Sequence, residues 1–461
     1  MKKIFALIVT VLLVFAIIPV SASAEHTSSA VGCSTLDGKV PFLGNQKLVD
    51  NVVSAILYEA STDTLMYADN ADEPLPPVSL AKILTALIAI EKGTLSDDVT
   101  VRADVLNTLP KDAAVVGLIA DEVLTLEDLI NCMIVASGND AAAVLADHVM
   151  GSQQAFVNEM NRYASEFGCT GTNFTNVHGL SDPNQYTTAR DMARILAQAI
   201  KNEKFCEIFG DIYYNVPETN KFPIRYLSSE NYLMNDDMVM IHYDSRVTGS
   251  RTGIANDWSR SIASVAKSNG LNYICIVMGS ESVYEDDGYT VKVFGGYNET
   301  RQLLDMGFNG HKTAQILFKN QILKQCSVLN GNCDVSIGTH DSAFSVIPET
   351  MDSLGLSYRY LNEVPLSAPI EKGQKLSSVQ VWCGSSCVAE ADLYAMNSVD
   401  VIETVSLDNV ESGNSVFVWI LYGLGIVFGI ILIGFIIISI LRAVHISKRK
   451  KMHRRYRRRG R

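Results

Sequence analysis

No internal repeat and no His-Cys spacing of the zinc-binding kind occur in this 461-residue sequence, which argues against a repeat protein and a structural zinc site. Proline is scarce, with 12 residues, and aromatic residues make up 8% of the chain. These values, with 31 glycines and 19% charged residues, are ordinary for a globular protein and not typical of a disordered or fibrous one. We expect about two or three domains, with neither a metal nor another cofactor.

The N-terminus carries the first of two apolar runs. Lys2 and Lys3 precede an apolar stretch over residues 4–20, and the segment ends with Ala22-Ser23-Ala24. A basic start, a short apolar run and a small-x-small ending are typical of a secretory signal peptide. The pattern also fits an uncleaved anchor, but the Ala-Ser-Ala ending favours cleavage after Ala24.

The second apolar run covers residues 416–441 and contains no charged residue. Roughly 20 such residues in a helix cross a bilayer, so we predict a transmembrane helix here. Eleven Lys and Arg residues follow in 442–461. The positive-inside rule then predicts a cytoplasmic tail, with the preceding domains on the outer side. Beside a membrane helix, a basic tail favours binding to anionic lipid over nucleic acid.

Formal net charge is unevenly distributed along the chain. The whole sequence has a net charge of −12. The basic tail contributes +11 and the two N-terminal lysines contribute +2, so the rest of the chain carries a charge of −25. An acidic exported region argues against a nucleic-acid partner.

An odd number of cysteines, nine, leaves at least one unpaired in an exported protein. Cys132, Cys169 and Cys275 lie in apolar or compact contexts and are interpreted as small core residues. Two pairs close in sequence could form a disulfide: Cys326 with Cys333, or Cys383 with Cys387.

Periodicity predicts an α+β catalytic region followed by a β-rich domain. A hairpin is expected over 53–67, and strands of one antiparallel sheet at 238–242, 261–265 and 273–278. Thr125 and Asp128 form a near capping box at a helix start. Helices are predicted over residues 79–90, 124–136, 140–150, 153–167 and 188–201. Short strands are predicted beyond Asn309, at 314–318, 335–338 and 378–382.

These patterns divide the chain into seven segments. The predicted segments are a signal peptide at 1–24, an irregular leader at 25–50, a catalytic domain at 51–310, a C-terminal β-rich domain at 311–402, a linker at 403–415, a transmembrane helix at 416–441 and a basic cytoplasmic tail at 442–461.

The first chemical motif is Ser79-Leu80-Ala81-Lys82 at the start of a helix that is apolar nearly all round. Residues three apart share a helix face, so Lys82 can reach Ser79. Burial lowers the pKa of a lysine, and a neutral amine can take the proton that makes serine nucleophilic. Ser-x-x-Lys also occurs at Ser264–Lys267 and Ser447–Lys450, so only its position in the first buried helix singles out Ser79.

Two further motifs follow along the chain. Ser137-Gly138-Asn139 lies between two helices, whereas its second copy at Ser412–Asn414 is in the predicted linker. Arg251-Thr252-Gly253 lies at a strand entry, where a cation and a hydroxyl can hold a carboxylate and the strand edge can pair with a peptide. Each motif alone favours an ordinary cap or edge strand. Taken together and in this order, the three motifs correspond to the Ser-x-x-Lys, Ser-Asp-Asn and Lys-Thr-Gly set of penicillin-binding proteins and class A β-lactamases.

With these motifs the chain resembles the D-alanyl-D-alanine carboxypeptidases, the low-molecular-weight penicillin-binding proteins of serine peptidase family S11. The likeness runs from about Val52 to Gly310 and continues more loosely through the last domain. The segments that carry it are Leu75–Leu87, Ser137–Ala142, Thr172–Leu180, Thr188–Ala193, Gly249–Gly253, Ala266-Lys267 and Lys372–Lys375.

The resemblance implies a β-lactamase/transpeptidase-like catalytic domain, an antiparallel sheet plus a helical cluster, and a role for each motif residue. Ser79 would be the nucleophile, Lys82 its base, and Ser137 the relay of a proton to the leaving amine. Asn139 would bind the peptide backbone. Arg251 and Thr252 would bind the terminal carboxylate, and Gly253 would belong to the same substrate-binding strand. The N–H groups of Ser79 and Ile254 would form the oxyanion hole.

Three positions depart from the family pattern. Arg251 replaces the usual Lys, which keeps the charge but changes its geometry. Residues 281–297 form a longer loop, and Gly296 stands where some members have an arginine that helps hold the substrate carboxylate. Gln185 replaces a His that is common in the family.

The implied function is a D-Ala-D-Ala carboxypeptidase that trims peptidoglycan stem pentapeptides, is acylated by β-lactams and is anchored in a bacterial cell membrane by one helix, with its catalytic domain extracytoplasmic. A β-lactamase would need a deacylating Glu, and no Glu-x-x-Leu-Asn segment follows Ser137. A second alternative is a catalytically weak penicillin-binding scaffold for wall peptides, because Arg251 and the long loop depart from the family.

Overall fold

The fold is that of a computed structural model, which describes residues 33–38, 41–44, 46–237, 241–255, 259–284, 291–351, 355–402 and 414–457. Within these ranges, residues up to Leu329 together with Cys333–Val399 form one compact unit. Asn330–Asn332 and the chain from Asp400 form a second unit, which is treated by itself. The predicted signal peptide lies outside the described residues.

The first unit combines helices with mostly antiparallel strands. The helices are α1 Ala81–Lys92, α2 Ala103–Leu106, α3 Leu126–Val135, α4 Asn139–Met150, α5 Gln153–Glu166, α6 Ala189–Ala199, α7 Glu203–Gly210 and α8 Tyr297–Phe308. The strands are β1 Ser54–Glu59, β2 Thr64–Asp69, β3 Asp98–Thr100, β4 Val123–Thr125, β5 Tyr213–Val216, β6 Arg225–Ser228, β7 Val247–Ile254, β8 Arg260–Ser268, β9 Leu271–Ser280, β10 Val283–Tyr284, β11 Val291–Val293, β12 His311–Leu317, β13 Ile322–Cys326, β14 Val335–Gly338, β15 Ala343–Pro348, β16 Leu356–Leu361, β17 Lys375–Cys383 and β18 Ser386–Ala395.

A five-stranded antiparallel sheet organises the catalytic region, in the order β2-β1-β9-β8-β7. Because side chains alternate across a strand, neighbouring residues of β8 enter two different cores. Ala263 packs with the helices α1 and α3–α7, whereas Ile262 packs with α8 on the other face. The last strand, β7, has one edge without a strand neighbour in this sheet, and that edge faces the candidate site.

Helix α1 is the centre of the helical cluster. Every residue from Ala81 to Ala89 is buried, as expected for a helix that is apolar all round. The preceding residues Val78–Leu80 form a 3-10 turn, so the helix predicted from Ser79 begins two residues later. The capping box at Thr125 and Asp128 is confirmed, because each side chain accepts from the other residue's backbone N–H.

The C-terminal β domain has a five-stranded sheet in the order β13-β14-β18-β17-β16, and β12 pairs with β15. The predicted α+β fold class with a separate β-rich domain is therefore confirmed. Strand β15 also packs against the catalytic region. The buried hydroxyl oxygens of Ser345 in β15 and Thr64 in β2 lie 3.1 Å apart.

Several element predictions were wrong or incomplete, and helices α2 and α7, like several short strands, were not predicted. Residues 241–242, expected in a strand, form a turn, while 238–240 lie outside the described residues. Helix α8 was not predicted, although Tyr297, Thr300 and Leu304 already have helical spacing and are buried on one face.

The cysteine pairing differs from both pairs considered in the sequence. Cys33 of the leader and Cys387 of β18 form a disulfide across a sequence separation of 354 residues. In the hairpin of β17 and β18, Cys387 lies opposite Trp382, whereas Cys383 lies opposite Ser386. The strand register therefore keeps Cys383 and Cys387 apart. Cys132, Cys169 and Cys275 are free and buried, as predicted.

The second unit consists mainly of one helix, α9, over Asn414–Arg457. Its segment Val418–Lys448 is long and apolar enough to span a membrane. A single apolar C-terminal helix agrees with the predicted membrane anchor.

Candidate active site

A cavity of about 730 Å³ opens where the helical cluster meets the free edge of β7. Its walls come from six segments: the turn before α1, the chain at residues 114–115, the junction of α3 and α4, the loop after α5, residues 228–231 after β6 and the strand β7. All the residues singled out in the three motifs, except Lys82, line it: Ser79, Ser137, Asn139, Arg251, Thr252, Gly253 and Ile254.

Ser79 projects from a strained and tightly packed turn. Val78, directly before it, has φ +45°, a conformation that is an outlier for a β-branched residue. A Cβ atom on Gly179 would lie 1.7 Å from the Val78 carbonyl oxygen, and one on Gly253 would lie 2.6 Å from the Ser79 nitrogen. Both glycines are required because the chain approaches the turn that carries Ser79 so closely.

Lys82 connects the two serines. Its Nζ lies 3.4 Å from the Ser79 Oγ and 3.1 Å from the Ser137 Oγ, and it donates to the Ser137 carbonyl oxygen at 2.9 Å. The Ser79 and Ser137 hydroxyl oxygens are 3.3 Å apart. The three polar groups thus form a closed set through which a proton can pass.

The surroundings of Lys82 favour its neutral form. The side chain is completely buried, and burial lowers its pKa well below the ordinary value of 10.5. The positive charge of Arg251 acts in the same direction, whereas the Asp140 carboxylate opposes both. A buried amine whose neutral form is favoured can act as a general base.

The second motif shapes the opposite wall. Ser137 has φ +61°, a left-handed conformation that presents its side chain to Lys82, and Asn139 begins α4. The Asp140 carboxylate accepts from the backbone N–H groups of residues 116–118, each at 3.0 Å. Asp140, for which the sequence analysis indicated no role, therefore holds the wall formed by the chain before α3.

Arg251 points from β7 towards the helical cluster. The guanidinium is buried and donates through Nη1 to the Ile134 carbonyl oxygen. Its Nε and Nη2 have no partner among the described residues. Burial lowers its pKa to about 10, so it stays charged at neutral pH.

The loop after α5 supplies two residues whose roles the sequence did not indicate. His178 lines the cavity, and burial, followed by the positive charge of Lys82, lowers its pKa to about 3, so it is neutral near pH 7. Gln185, in place of the family's His, ties the loop together. Its oxygen accepts from the N–H groups of Thr175 and Asn176, and its nitrogen donates to the Leu180 carbonyl.

Gly296, the N-cap residue directly before α8, has φ +88°. A Cβ atom there would lie 2.9 Å from Ile262, so this backbone does not accommodate the arginine that some family members have at the corresponding place. Residues 285–290 of the long loop lie outside the described residues.

An antiparallel sheet with a helical cluster, and a Ser–Lys–Ser set at their junction, define a serine enzyme of the penicillin-recognising class. Residues 47–282 match the D-alanyl-D-alanine carboxypeptidase family, and residues 311–401 match the C-terminal domain of penicillin-binding protein 5. Since the first match covers half of the chain, the protein belongs to the D-alanyl-D-alanine carboxypeptidase family and is a serine carboxypeptidase.

Individual relatives agree with this assignment. The chain is 29% identical over 354 residues to the D-alanyl-D-alanine carboxypeptidase DacA of Haemophilus influenzae, covering 75% of this chain and 84% of the relative. It is 26% identical to DacF of Bacillus subtilis, covering 76% and 86%. The crystal structure of penicillin-binding protein 5 from Haemophilus influenzae aligns with a TM-score of 0.62 at 29% identity, covering 77% of this chain and all of that one.

Proposed function

We propose that the protein removes the terminal D-alanine from peptidoglycan stem pentapeptides through an acyl-enzyme on Ser79. The observation that carries the proposal is the buried set of Ser79, Lys82 and Ser137, whose polar atoms lie 3.1–3.4 Å apart. No metal or other cofactor is required for this chemistry.

The acylation step uses the neutral Lys82 as base. Lys82 takes the proton of the Ser79 hydroxyl while its Oγ attacks the carbonyl carbon between the two D-alanines. The N–H groups of Ser79 and Ile254 stabilise the oxyanion. The proton then passes through Ser137 to the leaving amine as the C–N bond breaks, and water hydrolyses the ester to free Ser79.

The substrate lies along the free edge of β7 in this proposal. Its backbone pairs with the strand where Gly253 leaves room beside the nucleophile, and the Asn139 side chain binds the peptide from the opposite wall. Arg251 and Thr252 bind the terminal carboxylate, and the two unpartnered nitrogens of Arg251 supply charge-assisted donors. A β-lactam occupies the same place and acylates Ser79.

The segments outside the catalytic region support an extracytoplasmic location. We propose a signal peptide at 1–24, a leader at 25–50, a catalytic domain at 51–310, a β domain at 311–402, a linker at 403–415, one membrane span at 416–441 and a cytoplasmic tail at 442–461. The disulfide of Cys33 with Cys387 fits this location in the bacterial cell membrane, because disulfides persist in oxidising compartments.

The test is intact-protein mass spectrometry of the detergent-solubilised protein after incubation with benzylpenicillin, alongside D-Ala release from a peptide ending in D-Ala-D-Ala. We expect a penicilloyl adduct on Ser79 and D-Ala release, both lost in Ser79→Ala. No adduct on the folded protein would refute the assignment of the nucleophile.

A second candidate function is a penicillin-binding scaffold for wall peptides with little turnover. The observation that favours it is Gly296, which stands where some relatives have an arginine that helps hold the substrate carboxylate. An adduct on Ser79 without D-Ala release would establish this alternative.

A further inference from the structure

The hairpin of β5 and β6 presents an exposed face of uncharged side chains beside the active-site cavity. We infer that this face binds the sugar chain of peptidoglycan, to which the stem peptide in the cavity is attached. The inference rests on the proposed function and adds to it a second contact with the same polymer, away from the peptide bond that is cut.

Alternation along the two strands gives the hairpin an inner and an outer face. In β6, Tyr226 and Ser228 are exposed, whereas the residues before each of them are buried. Opposite them in β5 lie Asn215 and Tyr213, respectively, which are also exposed. The outer face therefore consists of two tyrosines, an asparagine and a serine, and none of these four side chains is charged.

The aromatic side chains of the outer face are unusually exposed. Tyr226 is 77% exposed, the largest value among the large apolar and aromatic side chains of the described residues. Tyr213 is 52% exposed, and Ile224, two residues before Tyr226, is 46% exposed. The two tyrosines are diagonal neighbours across the hairpin, roughly 7–8 Å apart, so one ligand can contact both. Single exposed apolar residues are normal on a protein surface, but several together mark an interaction site.

The outer face is continuous with the cavity, because Ser228 lines it together with the three residues that follow. A strand rises about 3.3 Å per residue, so Tyr226 lies roughly 7 Å from Ser228 along β6. In a stem pentapeptide, four residues precede the bond to be cut, and in extended form they span about 13 Å. The sugar that carries the peptide therefore lies outside the cavity, and a peptide that leaves the cavity past Ser228 brings its sugar to the outer face.

Uncharged aromatic and amide side chains suit a sugar as ligand. An aromatic ring offers a large apolar surface, on which the C–H groups of a pyranose ring can stack. The Asn215 amide can both donate to and accept from hydroxyl and N-acetyl groups. The hairpin is also held in place, since the Tyr213 hydroxyl donates to the Asn235 side chain at 3.2 Å and the Tyr214 hydroxyl donates to Asp128 at 2.8 Å. A surface that is fixed before binding loses little entropy when the ligand arrives.

The test compares two substrates of the full-length, detergent-solubilised protein. One is a free stem pentapeptide ending in D-Ala-D-Ala, and the other is the same pentapeptide attached to a disaccharide of N-acetylglucosamine and N-acetylmuramic acid. For the wild type we expect kcat/KM for D-Ala release to be about 10-fold higher with the disaccharide substrate. In Tyr226→Ala this advantage should be lost, whereas kcat/KM for the free pentapeptide should stay within about twofold of the wild type.

Matched variants separate the loss of the ring from a change in the fold. Tyr226→Phe keeps the ring and should retain the wild-type preference for the disaccharide substrate. Asn215→Ala removes a second side chain of the outer face and should lower kcat/KM for that substrate alone, by about fivefold, so it decides the matter where Tyr226→Ala does not fold. Phe344→Ala removes an exposed ring from β15 in the β domain and should change neither value.

Three results would overturn the inference while D-Ala release from the free pentapeptide leaves the proposed function intact. They are a wild-type enzyme without preference for the disaccharide substrate, equal losses with both substrates in Tyr226→Ala, and no loss with the disaccharide substrate. The last result is the one expected if the outer face binds a protein instead of a sugar. Absence of D-Ala release from both substrates by the wild type would overturn the proposed function, and the inference with it.

Discussion

In the mechanism we propose, Lys82 is the residue whose environment matters most for reactivity, because its amine would have to be neutral to accept the proton of Ser79. Its complete burial and the nearby Arg251 cation lower its pKa well below 10.5. The unfolded chain therefore binds a proton at this position over a pH range in which the folded protein does not, so this group makes stability rise with pH within that range.

The activity should follow the same titration. We expect the rate constant for acylation by benzylpenicillin to fall on acidification, as Lys82 becomes protonated, and to reach its plateau well below pH 10.5. Lys82→Arg should be inactive at every pH, because a guanidinium does not lose its proton. A wild-type rate that keeps rising until pH 10 would contradict a lowered pKa for Lys82. The pH dependence of the acylation rate constant can be measured by stopping the reaction at set times and quantifying the adduct by mass spectrometry.

Gly179 is the second decisive residue, since its added Cβ would overlap the Val78 carbonyl. We expect Gly179→Ala to displace the turn that holds Ser79 and to lower the acylation rate constant about 100-fold. Gly168→Ala is the control, because Gly168 also has positive φ but has open space around it. That variant should cost about 1 kcal/mol of stability and leave acylation unchanged, as measured by thermal unfolding and the adduct assay. Equal acylation in both variants would show that the turn tolerates displacement.

Among the structural elements, β6 is joined to the chain before β4 by a buried ion pair. The Arg225 guanidinium donates to both carboxylate oxygens of Glu122, at 2.7 and 2.8 Å. Glu122 also accepts from the Ile119 N–H and the Thr219 hydroxyl. Both ionic side chains are nearly inaccessible to solvent, so each depends on the other for its hydrogen bonds.

Removing one partner of this pair leaves a buried charge unpaired. We expect Glu122→Gln to lower the free energy of unfolding by about 3–5 kcal/mol, measured by urea unfolding followed by circular dichroism. Glu363→Gln, which breaks the exposed ion pair with Lys324, should cost less than about 1 kcal/mol. Similar costs for the two variants would mean that the Glu122 site is open to water.

For the whole molecule, the disulfide of Cys33 with Cys387 joins the leader to the β domain. Neighbouring hydrogen bonds extend this junction, since the Ser34 N–H donates to the Cys387 carbonyl and the Leu65 N–H donates to the Ser34 carbonyl. The Arg190 side chain of α6 further donates to the Leu36 and Gly38 carbonyls. The leader thus contacts both the catalytic region and the β domain.

We expect Cys387→Ser to lower the free energy of unfolding by about 2–5 kcal/mol, with little change in acylation because the bridge is remote from Ser79. Cys333→Ser is the matched control, since Cys333 is free and exposed. Peptide mapping under non-reducing conditions should recover the linked Cys33 and Cys387 peptides. Recovery of both cysteines as free thiols from the folded protein would refute the bridge.

Local interactions allowed much of this protein to be predicted from its sequence. The capping box of Thr125 and Asp128, the buried helix after Ser79 and the apolar segment 416–441 all depend on residues a few positions apart, so their patterns are visible in the chain itself. The family and the fold class, inferred from three short motifs and their order, were confirmed.

Long-range packing decided the rest. Helical spacing brought Lys82 within reach of Ser79, but only the fold fixed the position of Ser137 beside both, and the burial that lowers the pKa of Lys82. The bridge between Cys33 and Cys387, and the register that places Arg260 opposite Ile254, join residues whose pairing no local pattern encodes. Such contacts form because the helical cluster and α8 pack against opposite faces of one sheet, which fixes its strand order and the face of every side chain.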